Sequence, residues 1–195
     1  MKNLRQAMAE ANAFSPADIR TKAIDSILTK DEFDLMMAAG KNAKDKAILC
    51  LGIIGLRAGE IAAAERTWVD FSARTIKIPA IVAKRKKARI VPFGKIERVS
   101  AVLQGFFDLE DGIQLSRVQV WNRVKGMASR AGIGHPVTPH GLRATGATWF
   151  AMSGFSITGL MDHFGWTELR TAQHYIQASG ASAMRDMEDH GKDIL

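Results

Sequence analysis

The chain carries one cysteine and one tyrosine in 195 residues, against nine phenylalanines and four tryptophans. A lone thiol, Cys50, excludes an intrachain disulfide framework and a cysteine-based zinc site. Its setting, KAILCLGIIGL, reads as that of a small buried hydrophobe and suits a reducing cytoplasm. Long apolar runs are missing as well. The longest, Ala47 to Leu56, is too short to cross a bilayer, and the N-terminal MKNLRQAMAEANAFS lacks the apolar core of a signal peptide. A soluble, cytoplasmic protein with no membrane partner is therefore expected. There is no Walker-type loop, no dinucleotide fingerprint and no nucleophile-elbow serine. His163, His174 and His190 lack the spacing of metal ligands, so no metal and no cofactor are expected.

What is present is a basic, ordinarily apolar chain of single-domain length. Apolar residues make up 47%, the net charge is +7 and the isoelectric point about 9.8. The cations are not spread evenly: KRKKAR, Lys84 to Arg89, places five in six positions. Such a patch marks either a nucleic-acid contact or a solvated loop that aids solubility.

The elements follow from caps and periodicity. Residues 1–27 read as a polar leader or linker, with a helix start at SPAD. The compact part opens at LTKDEFDLMMAAG, where Thr29 and Glu32 form a capping box and Gly40 is a stop. A strongly apolar helix is expected over Lys44–Leu56 and a short one over Ile61–Ala64. TWVDF, TIKIP and ARIVPF are short β-branched segments that predict a small antiparallel sheet, with the lysine cluster near a hairpin tip. Helices are then expected over Lys95–Phe107, Arg117–Ala131, His140–Ser153, Ile157–His163 and Glu168–Ala178, with another over Ala181–His190. Ser116, Ser156 and Thr167 are the expected caps. The class is α+β: mainly helical, with a small three-stranded antiparallel sheet.

Several places could carry chemistry. In GLRAGE, Arg57 and Glu60 stand at a helix break between glycines, where a guanidinium fork suits phosphate oxygens. In TPHGLRATGATWF, His140 and Arg143 share a helix face just after a start marked by Thr138 and Pro139, and a helix N-terminus favours anions. The only tyrosine, Tyr175, follows in LRTAQHYIQAS. Two arginines can neutralise a phosphate's non-bridging oxygens, a tyrosine oxygen can attack phosphorus, a lysine can protonate the leaving oxygen and a histidine can manage a proton. Such a set needs neither metal nor nucleotide.

These motifs, in this order, resemble the catalytic domain of the tyrosine recombinase (phage integrase) family from about Leu28 to Tyr175. GLRAGEI is similar to the first arginine box, which implies Arg57 as a catalytic arginine and Glu60 as its supporting acid. KRKKARIVP is similar to the K-x-x-K-x-R-x-V-P hairpin, and register from Pro92 implies Lys84 as the general acid, with Lys86 and Lys87 as rivals. PHGLRATGAT is similar to the H-x-x-R box, which implies His140 and Arg143; Ala144 stands where a second histidine is common. In the last box the tyrosine follows nine positions after a His or Trp, and Gly165–Trp166 rather than His163 has that spacing to Tyr175. The basic neighbours Arg85, Lys86, Lys87 and Arg89 are expected to contact DNA.

The resemblance implies the DNA breaking-rejoining fold and a metal- and ATP-independent site-specific recombinase. That enzyme would cleave and rejoin double-stranded DNA through a 3′-phosphotyrosyl intermediate, for integration, excision or dimer resolution. It would act as a homotetramer on DNA, in a nucleoid-associated, prokaryotic or viral setting. Type IB topoisomerase-like relaxation and a non-catalytic DNA-binding accessory protein are the alternatives. The implied layout is a leader over 1–27, a catalytic domain over 28–178 and a tail over 179–195 that docks on a neighbouring protomer. About 27 residues precede the first matching helix, too few for the N-terminal helical domain that grips the other face of DNA in most members. Weak DNA grip by this chain alone is therefore expected.

Overall fold

A computed structural model describes residues 27–83 and 86–180. The expected leader, the Ala181–His190 helix, nearly all of the tail, and Lys84 and Arg85 lie outside the described residues. Within them the chain is mainly helical with one small sheet, as its patterning predicts.

The first helix, α1 (Lys30–Ala38), begins at Thr29, whose hydroxyl accepts from the Glu32 N–H while the Glu32 carboxylate accepts from the Thr29 N–H. Next, α2 (Ala43–Ile53) starts at the Asn42 cap and is buried on nearly all sides. A helix apolar all round has to sit at the centre, and α2 packs against α4 (Glu97–Phe107), α5 (Arg117–Arg130) and α6 (Pro139–Met152). The α2 helix stops before the expected Leu56, because Gly55 takes the left-handed φ of 105° that turns the chain toward α3 (Ala58–Ala62). That short helix also begins earlier than Ile61.

A single 3-10 turn (Arg66–Trp68) leads into the sheet. Strands β1 (Val69–Asp70), β2 (Thr75–Ile78) and β3 (Arg89–Pro92) pair antiparallel in the order β1-β2-β3, with Ile76 opposite Val91. Period-2 alternation buries Ile76, Ile78 and Val91 and exposes Lys77 and Ile90. The chain closes with α7 (Ile157–Phe164) and α8 (Leu169–Ser179). Ser116 and Ser156 cap α5 and α7 as expected. Thr167 does not cap α8: the helix begins one residue later, and Glu168 occupies the cap position without a side-chain capping bond.

Two apolar clusters result. The larger lies around α2 between the sheet and α4–α5; the smaller joins α6, α7 and α8 through residues such as Ala147, Leu160, Phe164 and Ile176. Small residues let α6 serve both. A Cβ at Gly52 would meet Leu142 at 3.0 Å, and one at Gly146 would overlap the Ile53 carbonyl oxygen. No helix among the described residues is long and apolar enough to cross a membrane.

In an open helix, Gly→Ala is favourable by roughly 0.5–1 kcal/mol. Here Gly146→Ala is expected to destabilise by about 1–3 kcal/mol through overpacking of the α2–α6 contact. The measurement is the urea midpoint; an unchanged or raised midpoint would show that the helices can separate without cost.

Candidate active site

Arg57 is the residue just before α3, and its backbone N–H donates to Glu60 Oε2 at 2.8 Å. Its guanidinium donates to Glu60 Oε1 at 3.0 Å and to the Gly165 carbonyl at 3.3 Å. The two ends of the GLRAGE box thus hold each other. Glu60 is 1% exposed. It receives a second, fuller fork: Arg89 Nη1 and Nη2 donate to Oε1 and Oε2, each at 2.7 Å. Burial alone would raise the Glu60 pKa, but the hydrogen bond and charge of Arg89, joined by Arg57, outweigh it and hold the carboxyl below its ordinary value.

Arg143 lies on α6, whose start is built by the Thr138 hydroxyl accepting from the Gly141 N–H at 3.0 Å and by Pro139 in the first turn. The guanidinium is buried, 5% exposed, and donates to the carbonyl oxygens of Gly55 and Phe164 rather than to a carboxylate. It also lies over the rings of Phe164 and Trp166, at 5.2 and 5.9 Å from their centroids. Burial, then the like charges of Arg57 and Arg89, push its pKa down to about 9. At neutral pH it stays protonated, and an anion placed beside it would restore the lost stabilisation.

A cleft of about 660 Å³ opens over these groups, lined by Arg57, Arg143, His140, Trp166, Glu60 and Arg117 among others. His140, one turn before Arg143, is exposed on its wall. Arg117, the first residue of α5, was not singled out by sequence; its stem packs against Gly59 and it joins the lining of the cleft. A second recess of about 450 Å³ shares Arg57 and Trp166 and is bordered by Lys87. Lys86 and Lys87 are both exposed.

Trp166 is brought to the cleft by Gly165, which ends α7 in the left-handed region at φ 60°. Its ring stacks on Phe164 at 4.9 Å and on Tyr175 at 5.1 Å, the latter pair parallel to within 3°. Tyr175 is 8% exposed, stacked on Trp166 and close enough to Arg143 to act on its charge, though it does not line the cleft. His163 is elsewhere: it is buried, with Nε2 at 2.8 Å from the Ile54 carbonyl, so that nitrogen carries the proton. Burial pushes its imidazole below the ordinary value, and it serves to pin the end of α7 to the end of α2. Arg57, Glu60, His140, Arg143 and Trp166 are therefore together. Arg89, expected among the DNA-contacting cations, has its guanidinium turned inward onto Glu60. No group of residues suited to hold a metal occurs among the described residues.

The sequence over residues 26–181 matches the phage integrase family. The tyrosine recombinase XerD of Neisseria meningitidis serogroup A is 28% identical over 190 residues, covering 87% of this chain and 64% of that protein. The chain thus spans just under two thirds of the length of that relative. Among solved structures, the XerA recombinase superposes with a TM-score of 0.69 at 24% identity, covering 87% of this chain and 63% of that one. The XerH site-specific recombinase bound to palindromic difH substrate, in a post-cleavage complex, gives 0.65 at 16% identity, covering 85% and 53%. The fold is that of tyrosine recombinase catalytic domains.

Glu60→Ala leaves two guanidinium groups facing each other without their carboxylate, and a loss of about 3–5 kcal/mol in urea unfolding is expected. Because the folded carboxyl sits below its ordinary value of about 4.3, its stabilisation is complete above that pH and is lost as pH falls through the lower folded value. The gap in stability between wild type and Glu60→Gln should therefore be widest near neutrality and narrow below about pH 4. A gap that does not change with pH would show that the charge of Glu60 contributes nothing.

Proposed function

The chain belongs to the phage integrase family, and from that premise we propose that it is a site-specific DNA recombinase that cuts and rejoins strands through a tyrosine–phosphate bond. The observation that carries the reading is Arg143. It is a buried cation with carbonyl partners, crowded by two further arginines and bordering an open cleft. That arrangement is costly unless an anion enters, and a phosphodiester supplies one.

In this reaction the Tyr175 oxygen attacks the scissile phosphorus, its proton passing to a nearby base. The bond to the 5′-oxygen breaks as the 3′-phosphotyrosyl bond forms, and Lys84 donates the proton that the leaving oxygen needs. Arg57 and Arg143 hold the non-bridging oxygens, with His140 and Trp166 completing the cradle. A 5′-hydroxyl from the partner strand then reverses the step and frees the tyrosine. Since Tyr175 is buried against Trp166 and does not line the cleft, the attack calls for a shift of α8 or of the indole ring. Double-stranded DNA is the substrate, in keeping with the XerH neighbour bound to difH. Paired sites call for a tetramer, with residues 179–195 reaching a neighbouring protomer. The setting is the nucleoid of a prokaryotic host or a mobile element within it. Arg85, Lys86 and Lys87 would follow the backbone beside the cut.

The test is a pool of nicked suicide duplexes with a randomised central region, incubated with the protein, denatured and sorted for protein-linked DNA. Wild type is expected to yield a covalent adduct on a recurrent sequence, and Tyr175→Phe none. Arg143→Ala should slow adduct formation on the order of 100- to 1000-fold. An adduct with Tyr175→Phe would remove the proposed nucleophile. Relaxation of supercoils without exchange between two site-bearing duplexes would favour the topoisomerase-like reading.

A further inference from the structure

Arg89 is 10% exposed at its side chain, lies on β3 and spends both terminal nitrogens on Glu60. One of them also reaches the Gly55 carbonyl at 3.4 Å. Its stem runs against the backbone at Gly165, where a Cβ would come within 2.8 Å of Cδ. Three segments of the cleft therefore meet on one side chain: the α2–α3 break, the end of α7 and the strand that carries the basic hairpin. Glu60 in turn is the group that holds Arg57 by both backbone and guanidinium. Without Arg89, the Glu60 carboxylate would be free to rotate onto Arg57 alone or to take up a proton.

We propose that Arg89 is the positioning residue of this cleft: its fork fixes the Glu60 carboxylate, and through it the Arg57 guanidinium, in the attitude that receives an anion. The same fork ties the base of the basic hairpin to the arginine box, so that hairpin and cleft hold a fixed relation. This rests on the reading of the cleft as a phosphate site. It adds that one of the five cations of KRKKAR acts inward and touches no DNA.

Arg89→Lys keeps the charge and the stem but cannot fork, and it is the variant to compare with Arg89→Met, Arg57→Met and the double variant Arg57→Met/Arg89→Met. The whole chain is labelled with 15N, and the Arg57 side-chain N–H signals, assigned by their loss in Arg57→Met, report whether its guanidinium rotation is hindered. Hindered rotation in wild type and free rotation in folded Arg89→Lys is the expected result. Hindered rotation in both would overturn the proposal. In parallel, inorganic phosphate is titrated into each variant. Arg89→Met and Arg57→Met should each lose on the order of ten- to a hundredfold in affinity, as for one charge-assisted hydrogen bond. The double variant should lose no more than the worse single one. Additive losses would mean that Arg89 binds the anion directly, which also overturns positioning. Should wild type take up no phosphate, the phosphate reading of the cleft falls, while the Arg57 signals still decide the role of Arg89.

Discussion

One buried carboxylate makes the arginine cleft possible. Arg57 and Arg89 converge on a single acid, Glu60, and Arg143 lies close enough to feel all three charges. Three positive charges less one negative leaves two uncompensated, with Arg143, Arg89 and Glu60 largely buried beneath the cleft. Such a cluster survives because the remaining donors find backbone carbonyls with no helical partner. Gly55 lies just past the end of α2, and Phe164 is the last residue of α7. Both carbonyls accept from Arg143, and Phe164 and Gly165 accept from Arg57. The C-terminal ends of two helices carry partial negative charge. The fold thus aims two of them at the same cation, replacing some of the hydration that burial removes without adding a second carboxylate that would repel an incoming phosphate.

This geometry constrains where the helices can end, which explains why the glycines matter. Gly55 must take a left-handed φ, and a side chain there would come 2.8 Å from the Phe164 ring. Gly165 must do the same with Arg89 against its Cα. The ring released by that turn, Trp166, becomes the middle of a stack running from Phe164 to Tyr175. So the residues that close the helices also set the distance between the arginines and the phenol. The buried His163, bonded to the Ile54 carbonyl, braces the two helix ends from the other side. Recognition boxes and fold-determining turns are, in this molecule, the same residues.

Much of that could be read from sequence because it is local. Capping residues at Thr29, Ser116 and Ser156 announce helix starts, and a uniformly apolar segment announces the central helix. The nine-residue spacing of Trp166 before Tyr175 separates it from His163 in sequence alone. What could not be read is long-range. No pattern in the chain says that the carbonyls of Gly55 and Phe164 will be ligands of a side chain on α6. Arg117 reaches the cleft through the packing of α5 on α3, which no local pattern announces. The end of α2 falls short of Leu56 because Gly55 turns the chain, and the start of α8 differs by one residue, as helix ends often do.

The inward turn of Arg89 is legible in strand parity but not in charge counting. Counting charge treats the five cations of KRKKAR as equivalent members of one patch. Strand geometry does not: on β3, residues 89 and 91 share a face, and Val91 is fully buried. Parity alone therefore turns Arg89 toward the core, while Lys86 and Lys87, before the strand begins, are exposed. An inward arginine demands a buried acid, and Glu60, next to the break that Gly55 makes, is the acid that the fold supplies. Composition correctly announces a basic protein. It is the alternation of a four-residue strand that divides those cations between the ones that meet solvent and the one that organises the cleft.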